Sequence, residues 1–449
     1  MFIFAVTSRM ASSWKLKQTK SLCPHTTTKW GVFSSSPSAT TQWDVVNIGV
    51  DDKNQSSRSF SIYLPPNFCS VHSEANKDIH DTSSPPPPPP LRIILAIHGY
   101  GGKPLQEIRK WQHVADSLNS VIIAPLGSET IENHNFGWNA IECCGDPVLN
   151  EIDDLDFVIN GVMGVFLNEV KSSSTWKKKS AHVIATGFSN GGFFTSLLGI
   201  TVNRPNWLVG IIPMAGYQYD ENAYANVHRP LALFMHHGGR DSVVNPNGCC
   251  NENESNQRQS DSGSNCFFDI GVKQETCQSV HSVFHLWSHI NGCSTDNYEG
   301  RSLKEENDVT ESQCFEGNDC LEPTNFCMWP NEGHGWAHSF PGTEMMQPWM
   351  KNVFVRAETK SFKMNDKKEV IDTSQTHKSR HHHNVIGKST FLSATLIMFG
   401  LIVISVVYVF LKRHIAIKTY QVKRKTSGDE QDEEMVVLNQ DKEQKFVIL

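Results

Sequence analysis

The chain has 449 residues, a formal net charge of −7 and ordinary hydrophobic and charged fractions. The length fits one α/β domain of about 300 residues with added tails. The basic residues are not gathered into one face, which argues against a nucleic-acid partner.

Residues 1–42 are rich in Ser, Thr and Lys and are expected to lack regular structure. The run MFIFAVTSRM is too short and too polar in its flanks for a convincing signal peptide, which leaves a leader upstream of this start, a cryptic signal or a cytosol-facing domain; the first is the expectation. Strand-like runs follow at Trp43–Val50 and Ser59–Leu64. A low-complexity insertion at 81–90 ends in the prolines Pro85 to Pro90, which favour an exposed polyproline II segment.

An alternation of apolar strands and amphipathic helices then begins. The strands are Arg92–His98, Ser120–Pro125, Ala181–Thr186, Leu208–Met214, Leu231–His237 and Phe326–Trp329. The helices are Gln106–Asn119, Glu151–Leu167, one opening at Gly191, Ser279–Ile290 and Glu344–Val355. Short, nearly continuous apolar strands between helices imply a mainly parallel sheet covered on both faces. Residues 247–265 are a polar insertion, and 294–322 are also polar and loop-like. The domain is therefore placed at 43–355, followed by a charged, His-rich linker at 356–388.

Thr390 to Leu411 is a run of 22 residues without a charge, long enough to cross a bilayer as a helix. Six Lys/Arg follow within 15 residues, against three in the 15 before, so 412–449 is expected to be a cytoplasmic tail. The 43–355 domain then lies outside the cell or in a lumen, in a single-pass membrane protein. Twelve cysteines, none in the paired CxxC spacing of a structural zinc site, fit disulfides in such an oxidising compartment. Asn54 and Asn253 head N-x-[ST] sequons, and a glycan is expected at one or the other. His381, His382 and His383 are read as a solvated juxtamembrane tract rather than a metal site, and no metal or organic cofactor is expected.

The chemistry centres on Gly187-Phe188-Ser189-Asn190-Gly191. This G-x-S-x-G pentapeptide has a strand before it and a helix after it, the context in which a serine is forced into an exposed, strained turn. A serine hydroxyl needs a base, and the base needs an orienting carboxylate. The strand Leu231–His237 runs into a glycine-softened loop bearing Asp241, and His334 lies between two glycines after the last strand. The order Ser189, Asp241, His334 is that of α/β-hydrolase triads. His338 is the second candidate base, while His236 and His237 are expected to pack against the sheet. The Gly-rich turn His98-Gly99-Tyr100-Gly101-Gly102 suits an oxyanion hole, with the Tyr100 amide pairing with that of Asn190.

The motifs HGYGG, GWNAIECCGD (137–146), IDDLDFV (152–158), TGFSNGG (186–192), HHGGRDSVV (236–244), WSHINGC (287–293) and GHGW (333–336) occur in this order. As a group, across about residues 55–345, they resemble the polyhydroxybutyrate-depolymerase and feruloyl-esterase type of carboxylesterase, within the α/β-hydrolase superfamily. The resemblance implies a serine esterase with Ser189 as nucleophile, Asp241 as acid and His334 as base. It also implies that Trp138, Cys143 and Cys144 lie near the active-site rim. Trp138 and Trp336 are the expected substrate-binding side chains, and the expected partner is a small or polymer-linked ester. The GHGWAHSFPG run departs from the pattern by an extra segment. Two rival readings stand beside this one: a catalytically inactive hydrolase-fold ectodomain used for adhesion or signalling, and a serine peptidase on the same fold.

Overall fold

A computed structural model describes residues 14–16, 43–50, 58–66, 68, 90–130, 134–172, 180–248, 278–294, 300–303, 312–335 and 343–376. The chain divides into two compact units, Met1–Lys368 and Glu369–Leu449. Only the end of one helix is described in the second.

Among the described residues the first unit is built on an 11-stranded sheet. Its strands in chain order are β1 (Trp14–Leu16), β2 (Trp43–Val50), β3 (Arg58–Tyr63), β4 (Leu91–Ile97), β5 (Val121–Pro125), β8 (Ala181–Phe188), β9 (Leu208–Met214), β10 (Ala232–Gly238), β11 (Gly300–Leu303), β12 (Ser312–Glu316) and β13 (Thr324–Trp329). The short strands β6 (Ser128–Glu129) and β7 (Phe136–Gly137) form a separate ribbon. The spatial order of the large sheet is β1-β2-β3-β5-β4-β8-β9-β10-β13-β12-β11. The run from β5 to β13 is parallel, and antiparallel strands close it at each side.

The central strands are buried on both faces, and alternate residues serve different layers. On β4, Ile93, Leu95 and Ile97 enter one apolar cluster and Ile94 and Ala96 the other. The first cluster is covered by α3, α4 and α5. Helix α3 runs as three consecutive segments, Asp154–Asp156, Phe157–Gly164 and Val165–Ser172; α4 is Asn190–Ile200 and α5 is Val280–Ile290. The second is covered by α1 (Pro104–Leu118) and by the start of α6 (Gln347–Thr376), through Trp111, Val114, Trp349, Met350 and Val353. A further short helix, α2, spans Asp146–Leu149.

Local signals explain several boundaries. Pro104 opens α1, and Asn119 ends it in the left-handed region. The Ser279 hydroxyl accepts the Ser282 amide at the start of α5, and Gly292 follows its end at φ +62°.

Four expectations need correction. Trp14–Leu16 forms an edge strand on β2, inside a segment expected to lack structure. The stretch 294–322 contains β11 and β12, which the polar composition concealed. β11 is the edge strand, and β12 inside it is tied to β13 by the bond between Cys314 and its cross-strand partner Cys327. Helix α3 begins at Asp154, not Glu151, and includes a π-helical turn across Phe157–Gly164. Glu151 sits at positive φ, while Asp153 caps the helix by accepting the Asp156 amide. The closing helix extends to Thr376 rather than stopping at Val355.

Cys143–Cys144, Cys293–Cys320 and Cys314–Cys327 are disulfides, as the cysteine content suggested. Among the described residues no helix is long and apolar enough to cross a membrane. The expected span Thr390 to Leu411, the tail, Asn54, Asn253, the 247–265 insertion beyond Gly248 and the His381–His383 tract lie outside the described residues.

Candidate active site

Strand β8 delivers Ser189 into a tight turn at φ 56° and ψ −123°, immediately before α4. A non-glycine residue at positive φ is costly and persists only where its surroundings enforce it. Here the Ser189 amide donates to Met214 O at 2.9 Å, and Ser189 O accepts the Phe193 amide at 2.9 Å. The flanking glycines permit the bend. A Cβ on Gly187 would lie 2.3 Å from Gly191 O, and one on Gly191 would lie 2.5 Å from His98 O.

The residues separated in sequence meet at this turn. His334 Nε2 lies 2.9 Å from Ser189 Oγ, and His334 Nδ1 lies 2.8 Å from Asp241 Oδ2. With its proton on Nδ1, the ring donates to the carboxylate and accepts the serine hydroxyl on Nε2. The other carboxylate oxygen, Oδ1, accepts the Val243 and Val244 amides at 2.9 and 2.8 Å. Asp241 is buried, while the His334 side chain keeps 15% of its surface exposed. The two loops are laced together: the Arg240 amide donates to Glu332 O at 2.8 Å, and the Gly239 amide to Trp329 O at 2.8 Å.

Of the neighbouring histidines, His237 lies beside this relay, its Nε2 3.5 Å from Asp241 Oδ2. His237 donates from Nε2 to Val244 O at 2.9 Å and is fully enclosed. Burial pushes its pKa below the usual value, against the opposing pull of Asp241. An uncharged His237 therefore does not compete as an ion for the carboxylate. Burial lowers His236 to about 3. Both pack in the sheet, as the strand pattern indicated. His338 and Trp336 lie outside the described residues.

The HGYGG turn sits against the elbow. A Cβ on Gly99 would lie 3.1 Å from Phe188 O and 3.6 Å from Ser189 Cβ. His98 anchors the turn, donating from Nδ1 to Gly99 O at 2.7 Å and accepting the Gly127 amide on Nε2 at 2.9 Å. Burial lowers its pKa to about 4, so it stays neutral. The Gly101 and Gly102 amides are committed to Phe136 O and Gly99 O. Among the described residues, the amides of Tyr100 and Asn190 have no acceptor.

Trp138 is not a substrate contact. It is 0% exposed and its indole N–H donates to His98 O at 2.9 Å, so its ring offers no surface to a ligand. Cys143 and Cys144 are likewise buried. The exposed apolar side chains of this region are Tyr100, Ile141 and Leu149. Sequence reading also missed Glu142, a buried carboxyl accepting the Tyr219 and Asp220 amides. Burial raises its pKa to about 7, and the two backbone donors offset only part of that shift. Its signal was present as a charge inside an apolar IECC run. Among the described residues no group of His, Cys, Asp and Glu is arranged to hold a metal ion.

Sheet order, strained elbow and the Ser–His–Asp relay together are the arrangement of the α/β-hydrolase class. No protein-family model and no curated protein sequence matches the chain. Solved structures with a similar trace include esterase PE8, at 15% identity and TM-score 0.34, covering 59% of this chain and 94% of that one. An acetyl xylan esterase from Aspergillus awamori is 13% identical with TM-score 0.39, covering 68% and 98%. An S-formylglutathione hydrolase from Agrobacterium tumefaciens is 10% identical with TM-score 0.36, covering 74% and 98%. At these values the functional reading rests on the geometry of this chain alone.

Proposed function

We propose that the protein is a serine carboxylic-ester hydrolase that works through an acyl-enzyme. The observation that carries this reading is the unbroken hydrogen-bonded line from Asp241 through His334 to Ser189 Oγ. Ser189 Oγ attacks the ester carbonyl while His334 Nε2 takes its proton. Asp241 holds the ring in the needed tautomer and stabilises the imidazolium. The carbonyl oxygen becomes an oxyanion held by the Tyr100 and Asn190 amides, the second at the N-terminus of α4. As the tetrahedral adduct collapses, the C–O bond to the alcohol breaks and His334 protonates the leaving oxygen. Water, activated by the same imidazole, then attacks the acyl-enzyme, releasing the acid and regenerating Ser189.

The finer reading is an ester of the feruloyl or hydroxyacyl type, supported by the motif set across residues 55–345. It places the enzyme on the outer or lumenal side of a membrane, anchored by Thr390 to Leu411. A fluorophosphonate probe tests the chemistry: Ser189 should be labelled in the wild type and not in Ser189→Ala. An unlabelled wild type would favour the inactive ectodomain. A substrate panel of feruloyl, acetyl and hydroxyacyl esters beside peptides then tests the class. Faster peptide than ester turnover would favour the peptidase.

A further inference from the structure

The short stretch from Phe136 to Trp138 touches both turns that carry the proposed oxyanion donors. On one side, Phe136 O accepts the Gly101 amide at 2.8 Å, and the Trp138 indole N–H donates to His98 O at 2.9 Å. On the other, the Trp138 amide donates to Asn190 Oδ1 at 2.8 Å, and Asn190 Nδ2 donates back to Trp138 O at 3.0 Å. The Nδ2 group also lies 3.5 Å from Cys143 Sγ. Gly137 is the joint between them. A Cβ there would stand 3.0 Å from Tyr100 Cδ2 and 3.5 Å from Asn190 Oδ1.

Trp138 and Asn190 are both fully buried. Water cannot replace these bonds, and a buried polar group left without a partner costs about 1–3 kcal/mol. The two turns are thus tied through one rigid bracket, and neither can shift without pulling on the other. Catalysis by an oxyanion hole depends on donors fixed at the right separation before the charge develops.

We infer that Trp138 and the side chain of Asn190 are positioning residues that set the spacing between the Tyr100 and Asn190 amides. This rests on the esterase reading above. Asn190 thereby has two separate duties, its backbone N–H toward the oxyanion and its carboxamide toward the bracket. Trp138 acts without touching substrate.

The test compares the full-length wild type with Trp138→Phe and Asn190→Ala on a p-nitrophenyl ester and on its thiono analogue, in which sulfur replaces the carbonyl oxygen. Trp138→Phe removes one N–H and keeps an aromatic ring in the core. Since loss of a whole donor costs about 100- to 1,000-fold, displacement should lower kcat about 10-fold in Trp138→Phe and about 100-fold in Asn190→Ala. KM should stay within about twofold, because the bracket acts on the transition state. The oxo-to-thiono rate ratio should fall along with kcat, a change that general loosening of the core would not produce. Thermal melting identifies which variants fold, and if Asn190→Ala does not, Trp138→Phe decides. A folded Trp138→Phe protein with wild-type kcat and ratio overturns the inference, as does a fall in kcat with the ratio unchanged. A wild type that neither hydrolyses the ester nor reacts at Ser189 with a fluorophosphonate overturns the esterase reading, and the inference with it.

Discussion

The parallel centre of the sheet, which ends at β13, and its antiparallel β12-β11 wing are held by different means. In the centre, strands such as β4, β5 and β10 are buried almost throughout, and helices cover both faces. Burying one such Leu or Ile contributes about 1.5–3 kcal/mol, so apolar area alone fixes the register. In the wing, β12 is mostly half-buried or exposed, and a disulfide joins it to β13. A second, Cys293–Cys320, ties the end of α5 to the loop before β13. Where the sequence cannot bury enough surface, a covalent tie takes over. The active site reaches this boundary, with Ser189 rising from the centre and His334 following β13, the strand to which the wing is tied.

The largest expected effect lies in the centre. Ser189→Ala should lower kcat by about 10⁵-fold or more while leaving the melting temperature within a few degrees. Steady-state kinetics and calorimetry on the same preparation check both halves. An Ala variant retaining several per cent of wild-type turnover would move the nucleophile elsewhere.

Asp241→Asn should cost about 10⁴-fold in kcat, because an amide cannot hold His334 in the Nδ1–H tautomer. His334→Ala should be at least as damaging. If His338→Ala proves worse than His334→Ala, the base has been assigned to the wrong residue.

The wing should behave in the opposite way. Replacing Cys314 and Cys327 together by Ser opens a loop with sequence separation 13. The expected loss is about 3 kcal/mol of stability. Turnover of the folded fraction should stay close to wild type, because the backbone bonds of Arg240 and Gly239 hold the His334 loop independently of the staple. A large fall in kcat without a fall in stability would show that the wing positions the base.

The smallest effect concerns Glu142, whose folded pKa is raised from 4.5 to about 7 by burial. A raised carboxyl favours the folded state fully below its unfolded pKa, and that contribution is lost as pH rises through the folded value. Denaturation of the wild type from pH 4.5 to 8 should therefore show a decline in stability that Glu142→Gln lacks, even if the variant starts from a lower baseline. Equal slopes in the two proteins would remove Glu142 as the source.

Much of the centre was legible because its signals are local. Leu208–Met214 matches its strand as read, β5 starts one residue later than expected, and β4 and β10 are each shifted by one residue at both ends. Periodicity, apolar runs and an elbow pentapeptide need no knowledge of distant residues. The wing was not legible, since Ser312–Glu316 is half polar and becomes a strand through pairing with β13. The π-turn in α3 also left no pattern, its residues being apolar in either helical form.

By itself, then, the sequence determined the layered α/β order, the strand–serine–helix turn and the candidacy of Asp241 and His334, all carried by neighbours along the chain. Only the tertiary structure decided that His334 reaches Ser189 across 145 residues and that His237, although beside Asp241, donates its Nε2 proton to Val244 O. It also turned Trp138 from a presumed substrate contact into a buried donor whose acceptor lies 40 residues away. The reason is physical: a polar group's partner and its access to solvent are set by what folding packs around it, and no spacing along the chain encodes that.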